Sequence, residues 1–126
     1  MPCGGNKLEK EKTGSPLLKK SIMGLLSLFR PGDGKIKEAL RKGAIIIDVR
    51  AAAEYDRGHI PDAFNIPVDR INVSIQRIKA AKMPVVVCCN SGERSSAALQ
   101  LLKAKGIKEV YNGGNWEKVW KLLRNL

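Results

Sequence analysis

Short apolar strands alternating with amphipathic helices predict an α/β domain: a small, mostly parallel sheet flanked by helices on both faces. Two observations carry that reading. Residues 44–49, apolar but for Asp48, and 84–88 are runs rich in Ile and Val, as strands buried on both faces require. Between and after them, apolar residues recur at helical spacing and stop at Gly or Pro. The length agrees: 126 residues suffice for one core, which buries roughly two-thirds of the surface of the unfolded chain.

Taken in order, residues 1–14 hold almost nothing to bury and are expected to form a mobile arm. Ser15 and Pro16 mark a helix start, Ser as N-cap and Pro at the first helical position. Leu18, Ile22, Leu25, Leu26 and Phe29 follow at helical spacing, and the breakers Pro31, Gly32 and Gly34 end the element. An amphipathic helix and linker is therefore expected over 15–34, ahead of a domain over 35–126. The helix stripe is expected to dock on the domain, with a second subunit or a membrane surface met beside Lys19 and Lys20 as alternatives.

Within the domain, the pattern predicts a helix over 35–42 ended by Gly43, then the first buried strand. One or two helical turns over 51–57 close at Gly58, and a short strand over 63–66 closes at Pro67. Ile71, Ile75 and Ile78 mark the face of a helix over 71–82, and the second buried strand follows. A helix over 93–105 turns Ala97, Leu101 and Leu102 inward, with Gly106 past its end. A strand over 108–111, a turn at Asn112, Gly113 and Gly114 with positive φ at both glycines, and a helix over 116–123 with Trp116 and Trp120 in the core complete the chain.

Composition narrows the function classes. Twenty-three Lys and Arg against twelve Asp and Glu give a net charge of +11, an attraction to anions in general. No recognisable reading motif accompanies that charge, and six aromatic residues (two each of Phe, Tyr and Trp) are too few for a stacking platform, so nucleic acid is not the expected partner. No stretch approaches the run of about 18 apolar residues that a membrane span needs. Three cysteines make no disulfide framework, and one His leaves little for a zinc site. A cytoplasmic domain with a reactive thiol, and with no metal or organic cofactor, is expected.

The informative segment runs from Val85 through Ser95. A buried strand enters a short polar loop that opens a helix, and in open α/β sheets the working crevice lies at the carboxyl ends of strands. Backbone N–H groups of a tight Gly-containing loop converge on its centre, and the helix adds its positive dipole end. A Cys at the first loop position faces those donors and Arg94, which favour its thiolate. Nucleophile and anion cradle come from one segment: Cys89 as nucleophile, and Asn90, Ser91, Gly92, Glu93, Arg94 and Ser95 around the substrate. Arg94 is expected to bind an anion or brace the loop. Asp48 and Arg50 face the same crevice, as a structural ion pair or as substrate contacts. Cys88 is expected in the core, His59 in a turn without a catalytic role.

These residues resemble those of a single-domain rhodanese, whose active loop has the form Cys-x-x-Gly-x-Arg after an apolar strand; here that is Cys89 to Arg94. Asp48-Val49-Arg50, Glu54 and the segment from Gly58 to Pro67 resemble a second signature, and Val110 to Trp116 resembles the Gly-Gly turn before the last helix. The resemblance implies a rhodanese-like fold and a sulfurtransferase that moves a sulfane sulfur, through a Cys89 persulfide, from an anionic donor such as thiosulfate to cyanide, a thiol or a sulfur-accepting protein. It implies no cofactor. Two departures shape the alternatives. Counted from Cys88, the spacing to Arg94 is that of Cys-based phosphatases of a related fold branch. The loop also offers Asn90, Ser91 and Glu93 where thiosulfate-favouring members often carry basic residues. A sulfur carrier or interaction module with poor turnover is the remaining alternative. Oxidation joining Cys88 to Cys89 is expected to silence the site.

Overall fold

The computed structural model describes residues 33–126; the expected arm over 1–14 and the helix over 16–29 lie outside the described residues. Four strands, β1 (Ile45–Asp48), β2 (Phe64–Asn65), β3 (Val85–Cys89) and β4 (Val110–Asn115), form one sheet in the order β2-β1-β3-β4. Every pairing is parallel. Five helices are described: α1 (Asp33–Arg41), α2 (Ala52–Arg57), α3 (Ile71–Ala81), α4 (Glu93–Ala104) and α5 (Trp116–Arg124), with a 3-10 turn at Val68–Arg70 before α3.

Strand alternation divides the core in two. Ile47, Val85, Val87 and Cys89 turn to one face and pack with Ile71, Ile75 and Ile78 of α3 and Ala98 and Leu102 of α4. Ile46, Val86 and Cys88 turn to the other, against Ile36, Ala39 and Leu40 of α1 and Val119 of α5. All five residues of β3 are fully buried, which is why the strand reads as an unbroken apolar run. Each such aliphatic side chain contributes about 1.5–3 kcal/mol by leaving water. The central strand is thereby the rigid base of the loop that follows it. No helix among the described residues is long and apolar enough to cross a membrane.

The structure departs from the expected elements where side chains or pairing override the local pattern. Helix α1 includes Asp33 and Gly34 ahead of the expected start at 35, and Asp33 in its first turn pairs with Lys118 of α5 at 2.9 Å. The second strand shrinks to Phe64–Asn65, and the Asn65 amide donates to the Asp48 and Arg50 carbonyls at 3.0 and 2.9 Å. The buried residues of α4 are Ser95, Ala98 and Leu102, while Ala97 is exposed. Trp116 and Trp120 are half-buried at the edge of the core around Val119.

The expected turn at 112–114 is instead part of β4. Val87 pairs with Asn112 and Cys88 with Gly114, so Gly113 is an extra residue at a bulge. Positive φ belongs to Gly114 alone, at 75°. Gly113 serves close packing: a Cβ there would stand 2.5 Å from Val119 Cγ2 and 3.1 Å from Val86 Cγ1.

Candidate active site

Cys89 closes β3, one residue beyond the expected strand end, and the chain turns sharply through Asn90, Ser91 and Gly92 into α4. Gly92 makes the turn feasible at φ 96°, in the left-handed region where a side chain is strained. Its N–H donates to Cys89 Sγ at 3.0 Å, and the Ser95 N–H does so at 3.4 Å. Ser95 Oγ lies 3.4 Å from the same sulfur. Burial alone would raise the Cys89 thiol, but hydrogen bonds from the Ser95 hydroxyl and the Ser95, Gly92 and Ser91 N–H groups outweigh it, and the thiol is held below its ordinary value. The sulfur is fully buried under its own loop.

Cys88, one residue earlier, meets the opposite surroundings. It faces Ile36, Ile60 and Val119 on the far side of the sheet, and burial, with Asp48 nearby, drives its thiol upward. Side chains of neighbouring strand residues point apart. An intramolecular ring joining the two sulfurs, expected from the sequence as an inhibited form, does not fit this strand.

Arg94 is not placed on the sulfur. Its guanidinium forks onto Glu54 of α2, with Nη1 to Oε1 at 2.6 Å and Nη2 to Oε2 at 3.1 Å. The Asn90 amide donates to the same carboxylate at 2.9 Å. The Arg94 bond, ahead of the Ala51 N–H, holds the Glu54 carboxyl down to about 2. Arg94 thus braces the loop against α2, and its charge is balanced before any substrate arrives. Glu93 points into solvent.

Arg50 forms a buried ion pair with Asp48 at the crevice wall. It is 4% exposed and clasps Asp48 through Nη2 at 2.7 Å and Nε at 2.9 Å, while Nη2 also donates to the Gly58 carbonyl at 2.7 Å. Its guanidinium carbon lies 4.8 Å from the Trp116 ring centroid. His59 stacks on Tyr55 at 3.7 Å and bonds that residue's carbonyl through Nδ1, in keeping with a turn role. Beside the loop opens a cleft of about 230 Å³ lined by Arg50, Glu54, Arg57, Gly58, Asn90 and Trp116. Among the described residues, no group of three or more His, Cys, Asp or Glu side chains is placed to hold a metal ion.

Three contributors escaped the sequence reading. Glu54 appeared only as part of a motif, without its role as the Arg94 partner. Asn115 caps α5 by accepting from the Lys118 N–H at 3.0 Å, and its amide supports the Asn90 carbonyl at 2.9 Å. Asn112 accepts from Ser95 Oγ at 2.6 Å. Both asparagines look like turn residues in sequence; only the bulged pairing of β4 with β3 sets them beside the loop.

The conserved-domain description Rhodanese-like domain matches residues 33–119. The chain belongs to the rhodanese-like family. It is 34% identical over 87 residues to a thiosulfate sulfurtransferase, GlpE, of Pseudomonas fluorescens, covering 67% of this chain and 77% of that protein. It is 33% identical over 67 residues to YrkF, a putative sulfur carrier protein of Bacillus subtilis, covering 53% of this chain and 36% of the carrier. A solved structure of rhodanese with anions from E. coli aligns with a TM-score of 0.56 and 32% identity, over 60% of this chain and 89% of that one. In this rhodanese-like chain the Cys-x-x-Gly-x-Arg segment forms the tight loop at the carboxyl end of the central strand.

Proposed function

We propose that the chain is a sulfurtransferase in which Cys89 carries the transferred sulfur as a persulfide. The carrying observation is the convergence of the Gly92 and Ser95 N–H groups on Cys89 Sγ, at 3.0 and 3.4 Å, at the end of a rigid buried strand. The Cys89 thiolate attacks the sulfane sulfur of a donor such as thiosulfate; the new S–S bond forms as the old one breaks, and sulfite leaves with its electron pair. The persulfide's outer sulfur then carries the negative charge among the loop N–H donors. Attack on that sulfur by cyanide or a thiolate releases thiocyanate or a new persulfide and restores the Cys89 thiolate. Every step conserves charge and needs no external oxidant. Asn90, Ser91, Gly92, Glu93, Arg94 and Ser95 form the substrate-facing loop, in which the backbone does the binding and Arg94 the bracing. Arg50 supports the crevice wall from its bond to Asp48.

The paired state of Arg94 favours a thiol or a sulfur-accepting protein over cyanide as acceptor, and an anionic donor bound chiefly by N–H groups. Cys89 is 0% exposed, which favours a second reading as a slow carrier serving one protein partner. Steady-state assays with thiosulfate and cyanide test the proposal: parallel double-reciprocal lines are expected. Hydrolysis of an aryl phosphate without sulfur uptake would replace it with the phosphatase reading, and a stable persulfide that neither cyanide nor small thiols discharge would replace it with the carrier.

A further inference from the structure

Ser95 has one hydroxyl proton and three acceptors within reach. Its Oγ lies 2.6 Å from Asn112 Oδ1, 3.1 Å from the Gly92 carbonyl and 3.4 Å from Cys89 Sγ. Asn112 Oδ1 also accepts from the Gly114 N–H at 2.9 Å, which fixes that end of the amide as oxygen. An amide oxygen has no proton to give, so the short 2.6 Å bond has Ser95 as its donor. With its proton on Asn112, Ser95 presents lone pairs to the sulfur. That suits a thiol, whose S–H donates to Ser95, and repels a thiolate.

We propose that Asn112 is a positioning residue for sulfur transfer, its side-chain oxygen competing with Cys89 Sγ for the single hydroxyl proton of Ser95 and making that hydroxyl a two-position switch. With the thiol present, the hydroxyl rests on Asn112. When Cys89 ionises, its thiol proton passes to water, and the Ser95 hydroxyl, keeping its own proton, rotates to the sulfur and gives up Asn112. Once the persulfide forms, the inner sulfur is neutral and the hydroxyl returns to Asn112, leaving the loop N–H groups to the charged outer sulfur. Asn112 therefore restrains thiolate formation in the resting state and draws Ser95 away from the loaded one.

The other charged groups around Cys89 are already engaged or distant. Arg94 is bound to Glu54, and Asp48 to Arg50. On α3, Arg77 lines a cleft beside Phe64 and Lys79 lies against Gly106, both away from the loop. Asp69 and Arg70 of the 3-10 turn are exposed, Cys88 faces the other side of the sheet, and β4 brings Tyr111 as its one titratable side chain.

The inference rests on Cys89 being the working thiol, and its test separates the two. The rate of iodoacetamide alkylation at Cys89, assigned by peptide mass, is followed against pH in the full chain. Ser95→Ala is expected to raise the midpoint by roughly one pH unit and Asn112→Ala to lower it by roughly half a unit. The double variant is expected to match Ser95→Ala. A shift from Asn112→Ala that persists without Ser95, or an upward shift, would overturn the switch. Asn112→Asp keeps both acceptor contacts and decides the matter if Asn112→Ala does not fold: its midpoint must rise, by less when Ser95 is also replaced, and a fall or no change overturns the proposal. Thiosulfate uptake is measured on the same samples. A wild-type protein that takes up no sulfur defeats the proposed function while leaving the midpoint series to judge the switch.

Discussion

Cys88 and Cys89 are identical, adjacent and both fully buried, yet the two faces of β3 give them opposite chemistry. On the Cys88 face there are aliphatic side chains and a carboxylate, and its thiol is pushed up. Cys89, on the other, lies where the strand ends and the N–H groups of the next turn point back at its sulfur, and its thiol is pulled down. Burial alone does not set the two thiols apart; the hydrogen-bond donors aimed at Cys89 do. The strand's alternation makes the assignment, since a shift of one residue would exchange the two environments.

The largest effect expected from breaking this contrast is in turnover. Cys89→Ser should reduce sulfur transfer by on the order of 10³-fold or more, as loss of a covalent nucleophile does. Cys88→Ser should leave the chemistry in place and lower stability by about 1–3 kcal/mol, for a hydroxyl set among aliphatic groups. Denaturant melts beside thiosulfate assays separate the two outcomes. Near-equal activity losses from both substitutions would dissolve the distinction.

A packing variant on the Cys88 face sharpens it. Gly113→Ala places a methyl 2.5 Å from Val119 Cγ2 and 3.2 Å from the Val87 carbonyl, so the α5 side must give way. A destabilisation of about 1–3 kcal/mol is expected from such overpacking. Sulfur taken up per folded molecule should not change.

Smaller again is the change on the Cys89 face when Arg94 is removed. Because Arg94 is spent on Glu54, Arg94→Ala should move the Cys89 alkylation midpoint upward by less than Ser95→Ala does. A larger shift would show that the guanidinium acts on the sulfur directly.

The smallest expected effect is the pH dependence of the brace itself. Glu54 titrates at about 2 in the folded chain, below the ordinary carboxylate range. Its stabilising bond to Arg94 is complete above the unfolded value of about 4.3 and is lost as pH falls toward about 2. Melting temperatures of wild type and Glu54→Gln should therefore differ above that window and converge below it. A gap that stays constant from neutral pH to pH 2 would deny the depressed carboxyl.

Much of this was legible in the sequence, for physical reasons that differ by residue. The strands at 44–49 and 84–88 announce themselves because burial on both faces selects apolar side chains almost throughout, Asp48 being buried only with Arg50 as its partner. Gly92 stands out because a tight strand-to-helix turn needs a residue free to adopt positive φ, and Cys89 because it sits where the apolar strand meets that turn. Arg94 was legible as a loop residue but not as Glu54's partner, because forty residues of chain separate them and only folding reveals the pair. Asn112 and Asn115 were hidden by a bulge: local propensity reads Asn-Gly-Gly as a turn, and the pairing with β3 that makes it strand is a tertiary fact. The register between Cys88 and Cys89 lies between these cases: the apolar run predicts a strand ending at Cys88, the strand ends at Cys89, and its alternation sets the two sulfurs on opposite faces.

The central claim is that Cys89 alone accepts the sulfur, and intact mass spectrometry after thiosulfate treatment tests it most directly. Wild type and Cys88→Ser should each gain one sulfur, about 32 Da, and lose it to excess cyanide or thiol, while Cys89→Ser gains nothing. A sulfur adduct that survives in Cys89→Ser and disappears in Cys88→Ser would contradict the account.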